Sequence, residues 1–412
     1  VNRTRPAKGF FLVLLTLSHK GRLPVAEYIN PDYVPEPDKM NVKRGLEGAV
    51  IDTTSVSKVN PDTNSLIYRG YPVQDLAEQC SFEEVAYLLY HGELPNAKQL
   101  ETFKAKERSY RTASPMLLNT IAALPKACHP MDAIRTGVSI MGCEDSRIWD
   151  ATPEVNLDKA MQLLARIPTL VAADYRFKKG LKAIEPKADL SIAENFFHMC
   201  FGKIPAKEVV RAFDVSLILY AEHSFNASTF TSRVVTSTQS DIYSATVAGI
   251  GALKGPLHGG ANEQVMHMML EIEDPAKAKD WMLDALANKK KVMGFGHRVY
   301  KSGDSRVPTM RKYAQVMADV TQEQKWMKMY DALEAVMVEK KKIYPNLDFP
   351  AGPAYYMMGF EIDFFTPIFV MARTTGWSAH ILEQTANNRI IRPLSEYIGS
   401  EQRKVSPIND RK

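Results

Sequence analysis

The sequence is poor in the features that would take it outside ordinary globular folding. It holds 4 cysteines in 412 residues: Cys80, Cys128, Cys143 and Cys200. None forms a Cys-x-x-Cys pair, and the spacings suit no zinc ribbon, which excludes a disulfide framework or a thiolate metal site as the organising principle. The expectation is four buried, reduced thiols in an intracellular protein. No apolar run approaches the roughly 20 residues needed to cross a bilayer, so a membrane-spanning protein is excluded. There is no internal repeat. His380 and Glu383 make an H-x-x-E, not the H-E-x-x-H of a zinc site. Acid is missing from one stretch, residues 1–26, which carry Arg3, Arg5, Lys8, Lys20 and Arg22.

That stretch accounts for the whole net charge of +5, which comes from 52 Lys and Arg against 47 Asp and Glu. The remaining chain is formally neutral. A nucleic-acid reading needs bases clustered on one face of a fold, and a basic arm does not supply that. Phe10 to Leu17 is a short apolar run between bases, like a weak signal or transit peptide, but no small-residue cleavage site follows. Asn30-Pro31-Asp32-Tyr33-Val34-Pro35-Glu36-Pro37-Asp38 reads as a linker. Met40 is the first methionine, and a coherent globular pattern begins just after it. Residues 1–40 are therefore expected to be an arm and linker outside the fold, with Met40 as the true start.

What is present is core material. The chain has 17 Phe, 17 Tyr and 4 Trp, with 45% hydrophobic and 24% charged residues, which argues against disorder. The length suits roughly two to three domains and a core that needs no staples. Residues 49–59 and 65–69 predict a small β-hairpin around Asn60-Pro61-Asp62-Thr63-Asn64. From Ser81 onward helical signals dominate. Ser81-Phe82-Glu83-Glu84 and Ser191-Ile192-Ala193-Glu194 are capping boxes. Trp326, Met329, Leu333, Val336 and Met337 recur at helical spacing. The architecture is expected to be mostly α.

Gly249-Ile250-Gly251-Ala252-Leu253-Lys254-Gly255 misses the dinucleotide fingerprint by one residue and has no strand before it, so a flexible segment or close helix packing is the better account. Four segments concentrate reactive residue types: Glu222-His223-Ser224-Phe225-Asn226-Ala227-Ser228-Thr229; Gly255-Pro256-Leu257-His258-Gly259-Gly260-Ala261-Asn262; Gly294-Phe295-Gly296-His297-Arg298-Val299-Tyr300, running on to Asp304-Ser305-Arg306; and Tyr344-Pro345-Asn346-Leu347-Asp348-Phe349. Each histidine alone reads as a packed or surface residue, and Asp348 alone as a cap or turn residue. Together, His223, His258, His297 and Asp348 in Gly/Pro/Asn-bounded segments point to a site. Arg306, Arg373 and Arg392 lie outside charge runs, Arg373 and Arg392 directly after apolar stretches. Each is either half of a structural salt bridge or a carboxylate ligand. Three Arg with three His suit a small polycarboxylate substrate.

At these segments the sequence resembles the citrate synthase family. The likeness also includes Tyr68-Arg69-Gly70-Tyr71, Cys128-His129-Pro130-Met131-Asp132, Gly376-Trp377-Ser378-Ala379-His380 and Arg392-Pro393-Leu394-Ser395-Glu396-Tyr397, and runs over most of the chain after Met40. It is nearest to bacterial citrate synthases and 2-methylcitrate synthases. The resemblance implies a cytoplasmic helical homodimer with the active site in a cleft between a large domain (41–258 and 367–412) and a small one (259–366).

It further implies condensation of acetyl-CoA or propionyl-CoA with oxaloacetate and hydrolysis of the thioester, giving citrate or 2-methylcitrate and free coenzyme A, with no metal or permanently bound cofactor. By position, Asp348 matches the general base, His258 the donor to the thioester oxygen, and His297 the group that polarises the oxaloacetate carbonyl. His223, Arg306 and Arg373 match oxaloacetate ligands, Arg392 one supplied by the partner subunit, and Lys291, Val292, Met293, Gly294 and Phe295 the coenzyme A loop. Two other readings remain. One is a fold-sharing acyl-CoA- or carboxylate-binding protein without turnover. The other is a basic-armed scaffold for nucleic acid or an anionic membrane.

Overall fold

The computed structural model describes residues 42–60, 62–297, 299–300, 303–400 and 402–411. The basic arm, the linker and Met40 lie outside the described residues. The chain divides into two units, one of residues up to Ile51 together with Ser395 onward, the other Asp52–Leu394. Among its described residues the first holds only single 3-10 turns, Arg44–Leu46 and Ile408–Asp410, with nothing buried. The second holds the strands and every α-helix among the described residues.

It opens with strands β1 (Ser57–Asn60), β2 (Ser65–Tyr68) and β3 (Tyr71–Pro72), antiparallel in the order β1-β2-β3, with Ser57 opposite Tyr68. The expected hairpin is there, but its first strand begins at Ser57, not residue 49. The reason is pairing. β2 ends where Arg69 and Gly70 both take positive φ, so residues before Ser57 have no ladder partner beyond the Val56 carbonyl, which accepts from Arg69 N–H at 2.9 Å. A strand without a neighbour leaves its polar backbone unsatisfied.

Sixteen helices follow among the described residues: α1 (Val73–Gln79), α2 (Phe82–His91), α3 (Ala97–Ser109), α4 (Pro115–Ala123), α5 (Pro130–Glu144), α6 (Pro153–Lys178), α7 (Ile192–Phe201), α8 (Lys207–Tyr220), α9 (Ala227–Ser237), α10 (Ile242–Leu253), α11 (Ala261–Ile272), α12 (Pro275–Ala287), α13 (Val307–Thr321), α14 (Lys325–Lys341), α15 (Asp348–Met357) and α16 (Phe365–Ala386). Their starts follow local chemistry. Both expected capping boxes form, at Ser81 with Glu84 and at Ser191 with Glu194. Pro115, Pro130, Pro153 and Pro275 occupy first helical positions, where a missing N–H removes no intrahelical bond. The face Trp326, Met329, Leu333, Val336 and Met337 of α14 is buried.

α16 is buried without a break from Phe365 to Ile381, taking Arg373 and His380 inside along with its apolar residues, and α2, α6, α8, α9 and α10 pack around it. α11 to α15 pack largely on one another, with α13 also reaching α8. No helix among the described residues is long and apolar enough to cross a membrane. Gly249 lies in α10, where an added Cβ would stand 2.5 Å from Ser232 Oγ of α9 and 3.1 Å from the Trp377 ring of α16. Gly249 thus serves close helix packing, whereas an added Cβ at Gly251 of the same helix would meet nothing within 4 Å, and the segment is a helix end, not a nucleotide loop. The thiol expectation needs correction: all four cysteines are free, but only Cys200 is buried. Cys80 and Cys128 are half-buried, and Cys143 is exposed in the last turn of α5, where the helix leaves the core.

Candidate active site

The site is organised by the C-terminal end of α8. The last carbonyls of a helix have no intrahelical donor and carry the negative end of its dipole. Here buried side chains take them up. Tyr68 Oη donates near the Ile218 carbonyl (3.1 Å) and the Glu222 carbonyl (2.9 Å). Arg306 Nη1 reaches the Leu219 carbonyl at 3.3 Å, and Arg373 Nε the Tyr220 carbonyl at 2.8 Å. The Tyr220 hydroxyl donates to Asp348 Oδ1 at 2.7 Å, and His223 follows three residues later. One helix end thus collects two guanidinium groups, a carboxylate and a histidine from four separate stretches of chain.

The arginines differ. Arg306 is committed to Asp304, through Nε to Oδ1 (2.9 Å) and Nη2 to Oδ2 (2.7 Å), so the salt-bridge alternative weighed from its sequence is present. Burial disfavours its charge, but Asp304 outweighs burial and raises its pKa. Arg373 is 1% exposed, with Nη1 lacking any hydrogen-bond partner and its guanidinium 4.8 Å above the Phe369 ring. Burial lowers its pKa to about 10, opposed by Glu222. A buried cation with a vacant donor is poised for an anion. Arg392 is not gathered in. It is exposed after the end of α16.

Two histidines have tautomers set by backbone donors. His297 Nδ1 accepts from the N–H groups of Val299 (3.0 Å) and Tyr300 (3.1 Å), so its proton sits on Nε2. His258 Nε2 accepts from the Ser228 N–H at 3.3 Å and lies 2.8 Å from Ser228 Oγ, so its proton sits on Nδ1. Burial first, then Arg306, lowers His297 to about 4. Burial first, then Arg373, lowers His258 to about 3. Both are neutral donors at physiological pH. His223 is buried 4.9 Å from His297, ring to ring, with Nε2 unpartnered and its pKa pushed well down by burial and Arg306. His258 joins the group through Phe369, which is 6.3 Å from it and 4.2 Å from Tyr220.

Asp348 is the first residue of α15, where the helix dipole favours a carboxylate. Burial nevertheless pushes its pKa up to about 6, against the pull of Tyr220, Arg306 and Arg373. Its helix starts with Pro350 in the first turn, where no N–H is missed. The loop Lys291–Phe295 is fastened to the chain leading into Asp348. The Gly294 carbonyl accepts from Asn346 N–H (2.9 Å), and Gly296 N–H donates to the Tyr344 carbonyl (2.8 Å). The Phe295 and Phe349 rings lie 4.4 Å apart. Gly294 is required, with φ +84° and no room for a Cβ against Val265 and Phe349. Lys291 is exposed, with Val292 and Met293 half-buried. Two surface hollows, one lined by Ser81, Glu83 and Asp214, the other by Tyr87, His91 and Phe103, lie apart from these residues.

Sequence reasoning missed four contributors. Ser228 and Asp304 lay inside segments already singled out. Glu222 did too, and its Oε1 binds His380 Nε2 at 2.9 Å, giving that histidine a structural partner. Tyr220 carried no signal, because Leu217-Ile218-Leu219-Tyr220 reads as core.

Residues 45–394 match the family model for the citrate synthase C-terminal domain. A citrate synthase of Mycolicibacterium smegmatis is 57% identical over 90% of this chain and 98% of its own. A 2-methylcitrate synthase of Mycobacterium tuberculosis is also 57% identical, over 89% of this chain and 93% of its own. Among solved structures, citrate synthase from Thermotoga maritima superposes with a TM-score of 0.82 at 38% identity, over 90% of this chain and 99% of that one. The ternary complex of the Thermoplasma acidophilum citrate synthase with carboxymethyl coenzyme A and oxaloacetate gives 0.86 at 33%, over 90% and 100%. The chain belongs to the citrate synthase family, whose members are acyltransferases.

Proposed function

We propose that the protein condenses acetyl-CoA, propionyl-CoA or both with oxaloacetate, and hydrolyses the thioester to release citrate or 2-methylcitrate and free coenzyme A. The observation that carries this reading is a neutral Nδ1–H donor on His258 and an Asp348 carboxylate, both within electrostatic reach of a buried Arg373 with a vacant donor. A carbon acid beside a thioester is too weak for a lone carboxylate. Asp348 removes the proton while His258 hydrogen-bonds the thioester oxygen as charge develops there. The enolate carbon attacks the oxaloacetate carbonyl, polarised by His297 Nε2–H, which passes that proton to the new alkoxide oxygen. Water then adds to the thioester carbonyl, the C–S bond breaks, and the proton taken by Asp348 is available for the departing coenzyme A sulfur. Arg373, Arg306 and His223, with Arg392 of the partner subunit, hold the two carboxylates and fix the approach.

The same reading makes the molecule a cytoplasmic homodimer with coenzyme A thioester as co-substrate, held by Lys291 to Phe295, and no permanently bound cofactor. It also makes 259–366 a small domain. In support, the Thr366 hydroxyl, which donates to Glu263, lies 3.3 Å from the Gly259 carbonyl, so that segment leaves and returns at one point, which suits a hinge that closes after oxaloacetate binds.

Relatives at equal identity carry both enzyme names, which keeps a dedicated 2-methylcitrate synthase as the second reading. One methylene is worth only about 1–3 kcal/mol of discrimination, so activity with both thioesters is expected. Thiol release in the presence of oxaloacetate, compared as kcat/KM for acetyl-CoA and propionyl-CoA, decides between the readings. Release from neither means a binding protein without turnover.

A further inference from the structure

We propose that Tyr220 is the positioning residue of the Asp348 base: its hydroxyl anchors Oδ1 and leaves Oδ2 as the oxygen that takes the proton. The proposal rests on the reading of Asp348 given above. The hydroxyl donates to Oδ1 at 2.7 Å, and no protein group among the described residues hydrogen-bonds Oδ2. The two oxygens are therefore distinct. Rotation about the last bond of an aspartate is broad and roughly two-fold, and a single anchored oxygen removes that freedom.

Tyr220 is itself held on every side. Its carbonyl binds Arg373 Nε. Its ring packs on Phe369 at 4.2 Å and stacks with Tyr355 at 6.4 Å. The Tyr355 hydroxyl in turn bonds Ser216 Oγ, one turn earlier on α8, at 3.1 Å. Burial, then the charge of Asp348, pushes the phenol well above its ordinary range, so it remains a donor.

A hydrogen bond to the charged form of an acid also favours ionisation, so the anchor keeps the base available near neutrality. The other charged or titratable groups acting on Asp348 are Arg306 and Asp304 before α13, Arg373 on α16 and Tyr355 on α15 itself. α11 presents Val265 and Asn262 to α15, and α14 places Tyr330 on Phe349; none of these carries a charge.

The test compares kcat/KM against pH for the full-length wild type, Tyr220→Phe and Asp348→Asn, with acetyl-CoA and propionyl-CoA at saturating oxaloacetate. Oxaloacetate affinity and melting temperature are measured alongside. Tyr220→Phe is expected to move the acid limb up by about one pH unit, the loss of one charge-assisted hydrogen bond. At pH 7 it should lower kcat about tenfold through the loosened base, with oxaloacetate affinity unchanged. If only the plateau falls and the limb stays, Tyr220 is a packing residue and the inference is overturned. If Tyr220→Phe does not fold, 3-fluorotyrosine placed at position 220, a stronger donor, should move the limb down, and a fixed limb overturns the inference. Turnover retained in Asp348→Asn overturns the base itself; turnover lost there with an unmoved limb in Tyr220→Phe overturns only the role of Tyr220.

Discussion

Arg373 donates from Nε to the main-chain carbonyl of Tyr220 at 2.8 Å, so a cation inside the protein is fastened to the final residue of α8. The bond fixes where the guanidinium points without using it up, since Nη1 keeps no protein partner. Glu222, with Oε2 likewise unpartnered, balances part of its charge.

Replacing Arg373 should separate binding from folding. In Arg373→Leu, oxaloacetate affinity is expected to fall by a factor of about 30 or more, the loss for one partner of a buried charged hydrogen bond. The variant's own stability should change little, because an incompletely paired buried cation is costly to keep. Thermal melts with and without oxaloacetate read both. The ligand should raise the melting temperature of the wild type and not of the variant. A ligand-dependent rise of wild-type size in the variant would count against Arg373 as a ligand.

The pH profile should show one acid limb. Asp348 titrates at about 6 and acts when deprotonated, so kcat/KM for the acyl-CoA is expected to be full above that value and to fall about tenfold per pH unit below it. His258 at about 3 and His297 at about 4 remain neutral throughout this range and add no second limb. Asp348→Ala should abolish condensation and leave oxaloacetate binding nearly intact. Two limbs between pH 5 and 8 would mean a histidine is titrating in turnover.

Asp304 should matter more for stability than any other acid in the cluster. It holds Arg306 through three bonds, two from the guanidinium and one from the main-chain N–H, and also accepts from Leu347 N–H at 3.2 Å, just before α15. Asp304→Asn leaves a buried guanidinium without its counter-charge, at a cost of about 3–5 kcal/mol. Urea denaturation gives the number, and a loss below about 1 kcal/mol would show that Arg306 re-pairs on its own.

Arg392 tests the subunit arrangement. Arg392→Ala should weaken oxaloacetate binding with no change in melting, since the side chain is exposed within its own chain. In mixed dimers of Arg392→Ala with Asp348→Ala, one site regains both residues if Arg392 acts across the interface. Absence of activity in the mixture would place Arg392 in its own subunit's site.

Local signals carried much of the fold. The capping boxes at Ser81 and Ser191 and the buried face of α14 follow from chemistry within one or two turns, which a sequence displays directly. The hairpin was half legible, because where β1 begins depends on the length of its partner, a non-local property. In the site, His223, His258, His297 and Asp348 stood out by their glycine-, proline- and asparagine-rich surroundings. Tyr220 did not, because its role comes from a contact with Asp348 128 residues away in the sequence, and nothing in the run Leu217-Ile218-Leu219 separates it from core. Arg306 and Arg373 looked alike as isolated arginines. Only the fold distinguishes the one bound to Asp304 from the one left open.

The convergence on the end of α8 has an evolutionary side. Asp348, Arg306 and Arg373 all take their positions from two successive residues, Leu219 and Tyr220, so they do not vary independently. A repacking of Phe213 or Leu217 that slid the helix along its axis would disturb Asp348, Arg306 and Arg373 in one event. Substitutions along α8 should therefore show epistasis with all three, with coupling energies of about 0.5–3 kcal/mol in double-mutant cycles. Related sequences should exchange this helix and its contacts as a block more readily than one residue at a time.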